Sequence, residues 1–231
     1  TWSTYPHAGL PGERITSAVD GLGNKVEYGY LPMTHGDVYA KGSSAVFPVR
    51  DHQSSTGLVR TLTITPAGSS AYSLEYKYLG ARIHAQGRGD LGMASREVKD
   101  LRNNVTTTET YEQDFPKSGP LATRTVRQPA PGSQVIETVT NTWTVLNLDT
   151  TPYNQRYLPY RSQSVRNDYE VGGTKNGLWI TQSTDTRTVN SWGNTTSGGT
   201  TVVDKDTGSP WYGQSHSASV SATYSENATT W

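Results

Sequence analysis

The 231 residues contain no cysteine. That excludes a disulfide framework, a thiolate zinc site and a cysteine nucleophile, and leaves any stability outside a cell to the fold itself. Neither sign of charge is in excess, with 20 Lys and Arg against 20 Asp and Glu and an isoelectric point near 6.9. Nucleic acid and anionic membranes both call for a basic excess, so neither is an expected partner. No run approaches the roughly 18 consecutive apolar residues that span a bilayer. The stretch Thr1-Trp2-Ser3-Thr4-Tyr5-Pro6 has neither the basic n-region nor the apolar h-region of a signal peptide, so we expect no signal peptide within the segment and no membrane insertion by it. Phe and Met occur twice each, and the apolar share is 32%. Material for a thick aliphatic core is scarce.

What the chain has instead is Tyr, 14 times, and Trp, 6 times. These aromatics, the zero net charge and a charged share of only 17% argue against disorder despite a mean hydropathy of −0.65. Periodicity points to strands. In Tyr72-Ser73-Leu74-Glu75-Tyr76-Lys77-Tyr78 the apolar and polar residues alternate, as on a half-buried strand. Leu58 to Ile64 reads the same way, with Leu58, Leu62 and Ile64 sharing a face that Arg60 interrupts. From Val135 to Val145 one face carries Val135, Val139, Trp143 and Val145, and the other is mostly Thr, a β-branched residue that suits a pleated sheet better than a helix. Turn signals separate these runs at Asp20–Asn24, Gly87–Gly89, Arg102–Asn104, Ser191–Asn194 and Asp206–Pro210. No helical window exceeds three turns, and Pro152 to Pro159, with Tyr153 and Tyr157, reads as an aromatic loop.

Three segments share one form: strand, Asp or Asn, a short turn ending in Asn, strand. They centre on Asp20-Gly21-Leu22-Gly23-Asn24, Asp100-Leu101-Arg102-Asn103-Asn104 and Asn190-Ser191-Trp192-Gly193-Asn194. The first side chain can close the turn on downstream backbone N–H groups, and the Gly-Asn or Asn-Asn pair supplies a left-handed residue. Each is predicted to be a hairpin. Their uneven intervals describe a degenerate repeat with insertions, not a regular solenoid or a propeller of fixed blades.

Asp20-Gly21-Leu22-Gly23-Asn24 followed by Val26-Glu27-Tyr28-Gly29-Tyr30 resembles the YD repeat of Rhs proteins and teneurins. A more specific ordered set is Tyr76-Lys77-Tyr78-Leu79-Gly80-Ala81-Arg82, Gly87-Arg88-Gly89-Asp90-Leu91-Gly92-Met93, Arg96-Glu97-Val98-Lys99-Asp100, and Tyr111-Glu112-Gln113-Asp114-Phe115-Pro116 with Gly119. It resembles the middle region of the B component of insecticidal Tc toxin complexes and of related SpvB-like and Rhs-like toxins. Tyr224 to Trp231 is similar to a segment further along the same proteins. Met93, where the family usually has an aromatic, and Asn103-Asn104, where a Gly-containing turn is commoner, depart from the pattern. The resemblance implies one shell segment, residues 1–231, of a larger secreted polypeptide whose repeats form an open, curved antiparallel sheet around a toxic C-terminal cargo. Its partners would be the rest of its own shell, the cargo and other toxin-complex subunits. The resemblance assigns a structural role to Asp20, Gly23, Asn24, Tyr76, Tyr78, Gly80, Arg82, Gly87, Arg88, Gly89, Gly92, Asp100, Asp114, Phe115, Pro116, Asn190, Gly193 and Asn194.

The residues themselves also allow other chemistry. Arg82, His84, Arg88 and Asp90 lie among glycines and could hold an anion or a sugar, or the glycines could serve turns while the arginines pair with carboxylates. The second reading is favoured, because the glycines match no phosphate-loop spacing. His7, His35, His52, His84 and His216 are scattered, so no metal or other cofactor is expected. Asp51-His52 lacks the nucleophile elbow of a triad, and Glu109 with Glu112, or Asp204 with Asp206, lack any mark of an acid and its partner base. Neither a Glu-x-Glu signature nor an Asp-Pro-x-Gly-Trp self-cleavage motif is present. The expectation is an all-β, non-enzymatic shell segment. The competing reading is a free-standing carbohydrate-binding β-domain using Trp143, Trp179, Trp192 and Trp211.

Overall fold

The computed structural model describes residues 14–129 and 132–225, so the expectations for His7 and for the end of the Tyr224–Trp231 motif fall outside the described residues. Within them every regular element is a strand and no helix is long and apolar enough to cross a membrane. Thirteen strands join one open hydrogen-bonded order, antiparallel except for one short strand, that does not close into a barrel, and three more form a small second sheet. The chain divides into two compact units, one up to Thr108 and one from Glu109 onward.

The first unit holds β1 (Ser17–Val19), β2 (Lys25–Pro32), β3 (Tyr39–Ala40), β4 (Val49–Asp51), β5 (Gly57–Thr65), β6 (Tyr72–Leu79), β7 (Arg82–His84), β8 (Gly89–Gly92) and β9 (Ser95–Asp100). Its main ladder runs β1-β2-β5-β6-β9; β3 adds to β6 in parallel, and β4-β7-β8 make the small sheet. The alternation seen in the sequence sets the register. Val26 faces Ile64 and Ile64 faces Tyr72; Tyr28 faces Leu62 and Leu62 faces Leu74. These rows are the cross-strand pairs that stabilise a sheet. On the other face Thr63 and Ser73 hydroxyls lie 2.8 Å apart. A Cβ on Gly29 would sit 2.2 Å from Thr61 Oγ1, so a larger residue there would have to displace the Thr61 hydroxyl. The interruption at Arg60 is a register shift: Thr61 pairs with Gly29 and Val59 with Tyr30, leaving Arg60 as the extra residue. Its guanidinium meets Glu75 Oε2 at 3.2 Å.

The apolar core of this unit is small and lies where β3 and the connection before it cover the sheet. Met33, Val38, Tyr39 and Ala81 are buried, with Leu31, Leu58, Tyr78 and Met93 packed against them. Tyr39 pins it: its hydroxyl donates to the His52 carbonyl at 2.6 Å and accepts from the Ala81 N–H at 3.0 Å. Burial pushes the Tyr39 and Tyr78 phenols above their ordinary pKa.

β10 (Thr106–Tyr111) leads into the second unit, which holds β11 (Leu121–Arg127), β12 (Val135–Asp149), β13 (Arg156–Tyr169), β14 (Trp179–Val189), β15 (Thr195–Asp204) and β16 (Ser215–Ser221). From β11 to β16 each strand pairs antiparallel with the next. The described residues of this unit contribute no buried hydrophobic residue; the two buried positions are Asn141 and Ser164, cross-strand partners. Side-chain hydrogen bonds run along the faces instead. Asn167 Nδ2 donates to Thr138 Oγ1 at 3.1 Å, Gln182 Nε2 to Asn167 Oδ1 at 3.0 Å, and the Thr201 and Ser217 hydroxyls are 2.8 Å apart. Glu137, with Arg124 and Arg166 each at 3.1 Å, anchors the charged part of this network.

Two expectations need correction. Leu58 does not share a face with Leu62 and Ile64, because the extra residue Arg60 shifts the parity and sets Leu58 opposite Leu31 while Leu62 stands opposite Tyr28. Residues 156–159 are not loop but the start of β13, because β12 continues to Asp149 and offers them partners: Leu146 faces Leu158, and Val145 faces Pro159. Only residues 150–155 form the connection.

Candidate functional site: hairpin turns, the glycine block and the sheet faces

The three repeated segments are all hairpin turns, joining β1 to β2, β9 to β10 and β14 to β15. In the first, Asp20 Oδ1 accepts from the N–H groups of Leu22 and Asn24, each at 2.9 Å, and Asn24 Nδ2 donates to Asp20 Oδ2 at 2.7 Å. The Asp20 N–H donates to the Asn24 carbonyl at 3.0 Å, and Gly23 has φ +86°. The third turn repeats this with Asn190: its Oδ1 accepts from the N–H groups of Trp192 and Asn194 at 3.0 and 2.9 Å, and Gly193 has φ +85°. Both are three-residue hairpin loops with glycine at the left-handed position. The middle turn is one residue longer, with the Asp100 N–H reaching the Val105 carbonyl and Asn104 at φ +55°. Its Asp100 also takes the Arg102 guanidinium at 2.5 Å. Hydrogen bonds to their carboxylates, from Asn24 and from Arg102 respectively, hold Asp20 and Asp100 below the usual carboxylate range.

The glycine block resolves toward architecture. Gly80, Gly87, Gly89 and Gly92 all have positive φ, and they punctuate the turns around β7 and β8. Arg82 pairs with Asp51 at 3.4 Å and donates to Ser44 Oγ at 2.9 Å. His84 Nδ1 accepts from the Gln86 N–H, and Asp90 Oδ1 from the Gly92 N–H. His84 and Asp90 are thus committed to their own loops, and Arg82 to Asp51 and Ser44. Arg88, in the turn between β7 and β8, is also partnered. Tyr76 and Tyr78 lie on β6 with their rings stacked at 6.5 Å. Asp51, bound to Arg82 and to the Ala45 N–H, is occupied structurally.

Asp114, Phe115 and Pro116 form the connection from β10 to β11. The Lys117 N–H closes it on the Asp114 carbonyl at 2.7 Å, Phe115–Pro116 is a cis peptide, and the Phe115 ring meets Tyr157 edge-on at 5.5 Å. The carboxylates weighed for hydrolysis are tied elsewhere: Glu109 accepts from the Tyr111 hydroxyl, Glu112 pairs with Lys117, and Asp206 with Lys175 at 3.0 Å. Among the described residues no three His, Cys, Asp or Glu side chains gather as metal ligands. Of the tryptophans, Trp143 donates Nε1–H to the Leu121 carbonyl and Trp179 carries Lys205 over its ring at 4.8 Å. Trp211 is two-thirds exposed.

Beyond the Asn190 turn and Trp179 and Trp192, sequence reasoning did not single out the β13–β15 region. Here Gly198 and Gly199 are adjacent in a strand, so side chains are missing from both faces at one place. A groove of about 750 Å³ opens on the face carrying Asn141, Trp143, Arg161, Asp185 and Arg187. A second, of about 690 Å³, opens among the hydroxyls of Thr184, Thr186, Thr188, Ser217 and Ser219. The signal was there in Gly-Gly within a Thr-rich strand, since strand glycine often marks a close approach or a gap.

The sequence matches no known protein family and no curated protein. The fold does have solved counterparts. Over 79% of this chain and 12% of the other, it is similar to a chain in the crystal structure of TcdB2-TccC3, with a TM-score of 0.60 at 10% identity. Over 68% of this chain and 10% of the other, it is similar to a chain of the Photorhabdus luminescens Tc holotoxin pore, with a TM-score of 0.55 at 9% identity. The chain is also similar to one in the crystal structure of TcdB2-TccC3 without its hypervariable C-terminal region, at a TM-score of 0.59 and 9% identity, covering 79% of this chain and 12% of that one. The chain thus spans about a tenth of the length of these neighbours, and what they share with it is the fold.

Proposed function

We propose that this chain is a wall segment of a bacterial toxin shell of the Tc-B/Rhs kind, enclosing a toxic C-terminal cargo outside the producing cell and carrying no catalytic group of its own. The observation that carries this reading is the open antiparallel ladder, matched over 79% of the chain by part of a TcdB2-TccC3 chain. The repeated Asp/Asn turns and the nearly coreless second unit support it. A sheet that forms a wall needs ladder hydrogen bonds and two faces compatible with water, and a thick apolar layer on one face would work against that. The polar side-chain rows of the second unit meet this need.

The test is protease protection in the whole polypeptide that contains this segment. We expect its C-terminal portion to be cleaved much more slowly than the same portion expressed alone, with protection lost when residues 109–225 are deleted. Equal cleavage in both contexts would overturn the reading. A glycan array separates the carbohydrate-binding alternative, which the exposure of Trp192 and Trp211 favours: saturable sugar binding abolished by Trp192→Ala or Trp211→Ala would replace the shell reading.

A further inference from the structure

The ladder between β13 and β14 is incomplete. It runs from Tyr169 opposite Trp179 to Gln163 opposite Thr186, and there it stops. Residues 156–161 of β13 pair only with β12, Ser162 has no ladder partner, and residues 187–189 of β14 pair only with β15. The cause is a bulge. Thr142 faces Gln163 but Trp143 faces Arg161, so Ser162 is the extra residue, and its hydroxyl is taken by Thr144 Oγ1 at 2.8 Å. A bulge bends its strand and sharpens the twist, which lets the first half of β13 part from β14. In the middle of the strand order residues 156–162 of β13 therefore have no β14 partner, with the β14–β15 turn lying beside Leu158.

The 750 Å³ groove lies at this parting. Arg161 on β13 and Arg187 on β14 line it, both exposed, and among the described residues neither meets a carboxylate or donates a side-chain hydrogen bond. The one carboxylate in the groove, Asp185, is held by the Thr200 hydroxyl. Two unpaired guanidinium groups against one engaged carboxylate give the slot a positive bias in a chain of zero net charge. Trp143 forms one wall, and Gly198 with Ala218 leaves the floor low.

We propose that this slot binds an extended acidic peptide segment, added as a strand against β13 with its carboxylates on Arg161 and Arg187. An open strand edge is matched by another backbone, which supplies alternating donors and acceptors at the right spacing. A guanidinium is matched by a carboxylate, often with two parallel hydrogen bonds. A sugar polyanion would satisfy the arginines but has no repeating N–H and C=O pattern to offer the edge. Pro159 lacks an N–H, so the row of donors is interrupted at most once. This inference stands apart from the shell reading and does not require it.

The test is fluorescence anisotropy on the 231-residue chain with a fluorescein-labelled nonapeptide alternating glutamate and threonine. Saturable binding is expected, weakened about tenfold by Arg161→Gln and again by Arg187→Gln, as for loss of a charged hydrogen bond, and weakened further by salt. N-methylation of alternate peptide residues on one edge should abolish it, while methylation on the other edge is tolerated. Both arginines are exposed, so an unchanged far-UV circular dichroism spectrum and melting temperature are expected of the variants. No binding, equal binding of a lysine–threonine peptide, or binding that survives the double variant would overturn the proposal. So would a tetragalacturonate that binds this groove where the glutamate peptide does not.

Discussion

The two units of the chain are built from the same hairpins and hold together differently. The first closes a small apolar core around Met33, Val38, Tyr39 and Ala81. The second, larger in strand length, buries only Asn141 and Ser164 among its described residues, and spreads its cohesion along the ladder and the hydroxyl and amide rows beside it. Side-chain deletions should therefore be felt sharply in the first unit, where one group serves several buried neighbours. In the second they should be felt weakly, because each row is redundant and wet.

The largest expected effect is Tyr39→Phe. It strips the donor from the His52 carbonyl and the acceptor from the buried Ala81 N–H, and leaving buried polar groups unsatisfied costs about 1–3 kcal/mol each. A loss of about 2–4 kcal/mol in denaturant unfolding of the first unit is expected. The matched change in the second unit, Thr201→Val, removes a half-exposed hydroxyl pair with Ser217 and should stay within about 0.5 kcal/mol. Equal costs for the two would break the comparison.

A medium effect belongs to the turns the two units share. Gly193→Ala places a Cβ in ordinary contact with Leu158 at 3.6 Å, so its cost comes from φ +85° alone, about 1–2 kcal/mol. Gly23→Ala, at φ +86° with Ala67 at 3.8 Å, should cost the same. Gly21→Ala, two residues earlier with open space around it and no positive φ, should be neutral or slightly stabilising. A loss at Gly21 comparable to that at Gly193 would remove backbone conformation as the cause.

These turns were also the most legible part of the sequence. Asp20 and Asn190 announced themselves because a turn is fixed by local chemistry, a side-chain acceptor followed by glycine, and so were the strands around Leu62, Leu74 and Val139, whose alternation is local too. The small core was not legible. It depends on Tyr39 reaching His52 and Ala81 across the fold, and nothing in a two-residue strand signals that. Arg156 to Pro159 read as loop because prolines bracket the stretch at 152 and 159, whereas pairing to Leu146 and Val145 makes them strand. The β13–β14 parting was invisible for the same reason: a bulge at Ser162 is a property of register, and register is set by the partner strand. The Arg82 block is the intermediate case. Its glycines could be read as turn formers, but that Asp51 neutralises Arg82 emerges only when β4 pairs with β7.

The smallest effect separates the first turn from the third by pH. The first and third turns have the same geometry, yet one is closed by a carboxylate and the other by an amide. The hydrogen bonds from Asn24 and from the backbone lower the pKa of Asp20 in the folded chain. Its contribution to stability is then fully present above the unfolded value, near 3.8, and is lost as pH falls through the lower folded value. The Asn190 amide does not titrate, so its turn has no such dependence. Carbon-detected NMR should place the Asp20 carboxyl midpoint below 3.8, and Asp20→Asn should remove that part of the acid-side loss while keeping the turn, since an amide oxygen accepts the same two backbone N–H groups in the third hairpin. Asn190→Asp should add a matching acid-side loss to the second unit. An Asp20 midpoint at or above 3.8 would mean that the aspartate is no more than a steric equivalent of asparagine, and that the repeat draws nothing from its charge.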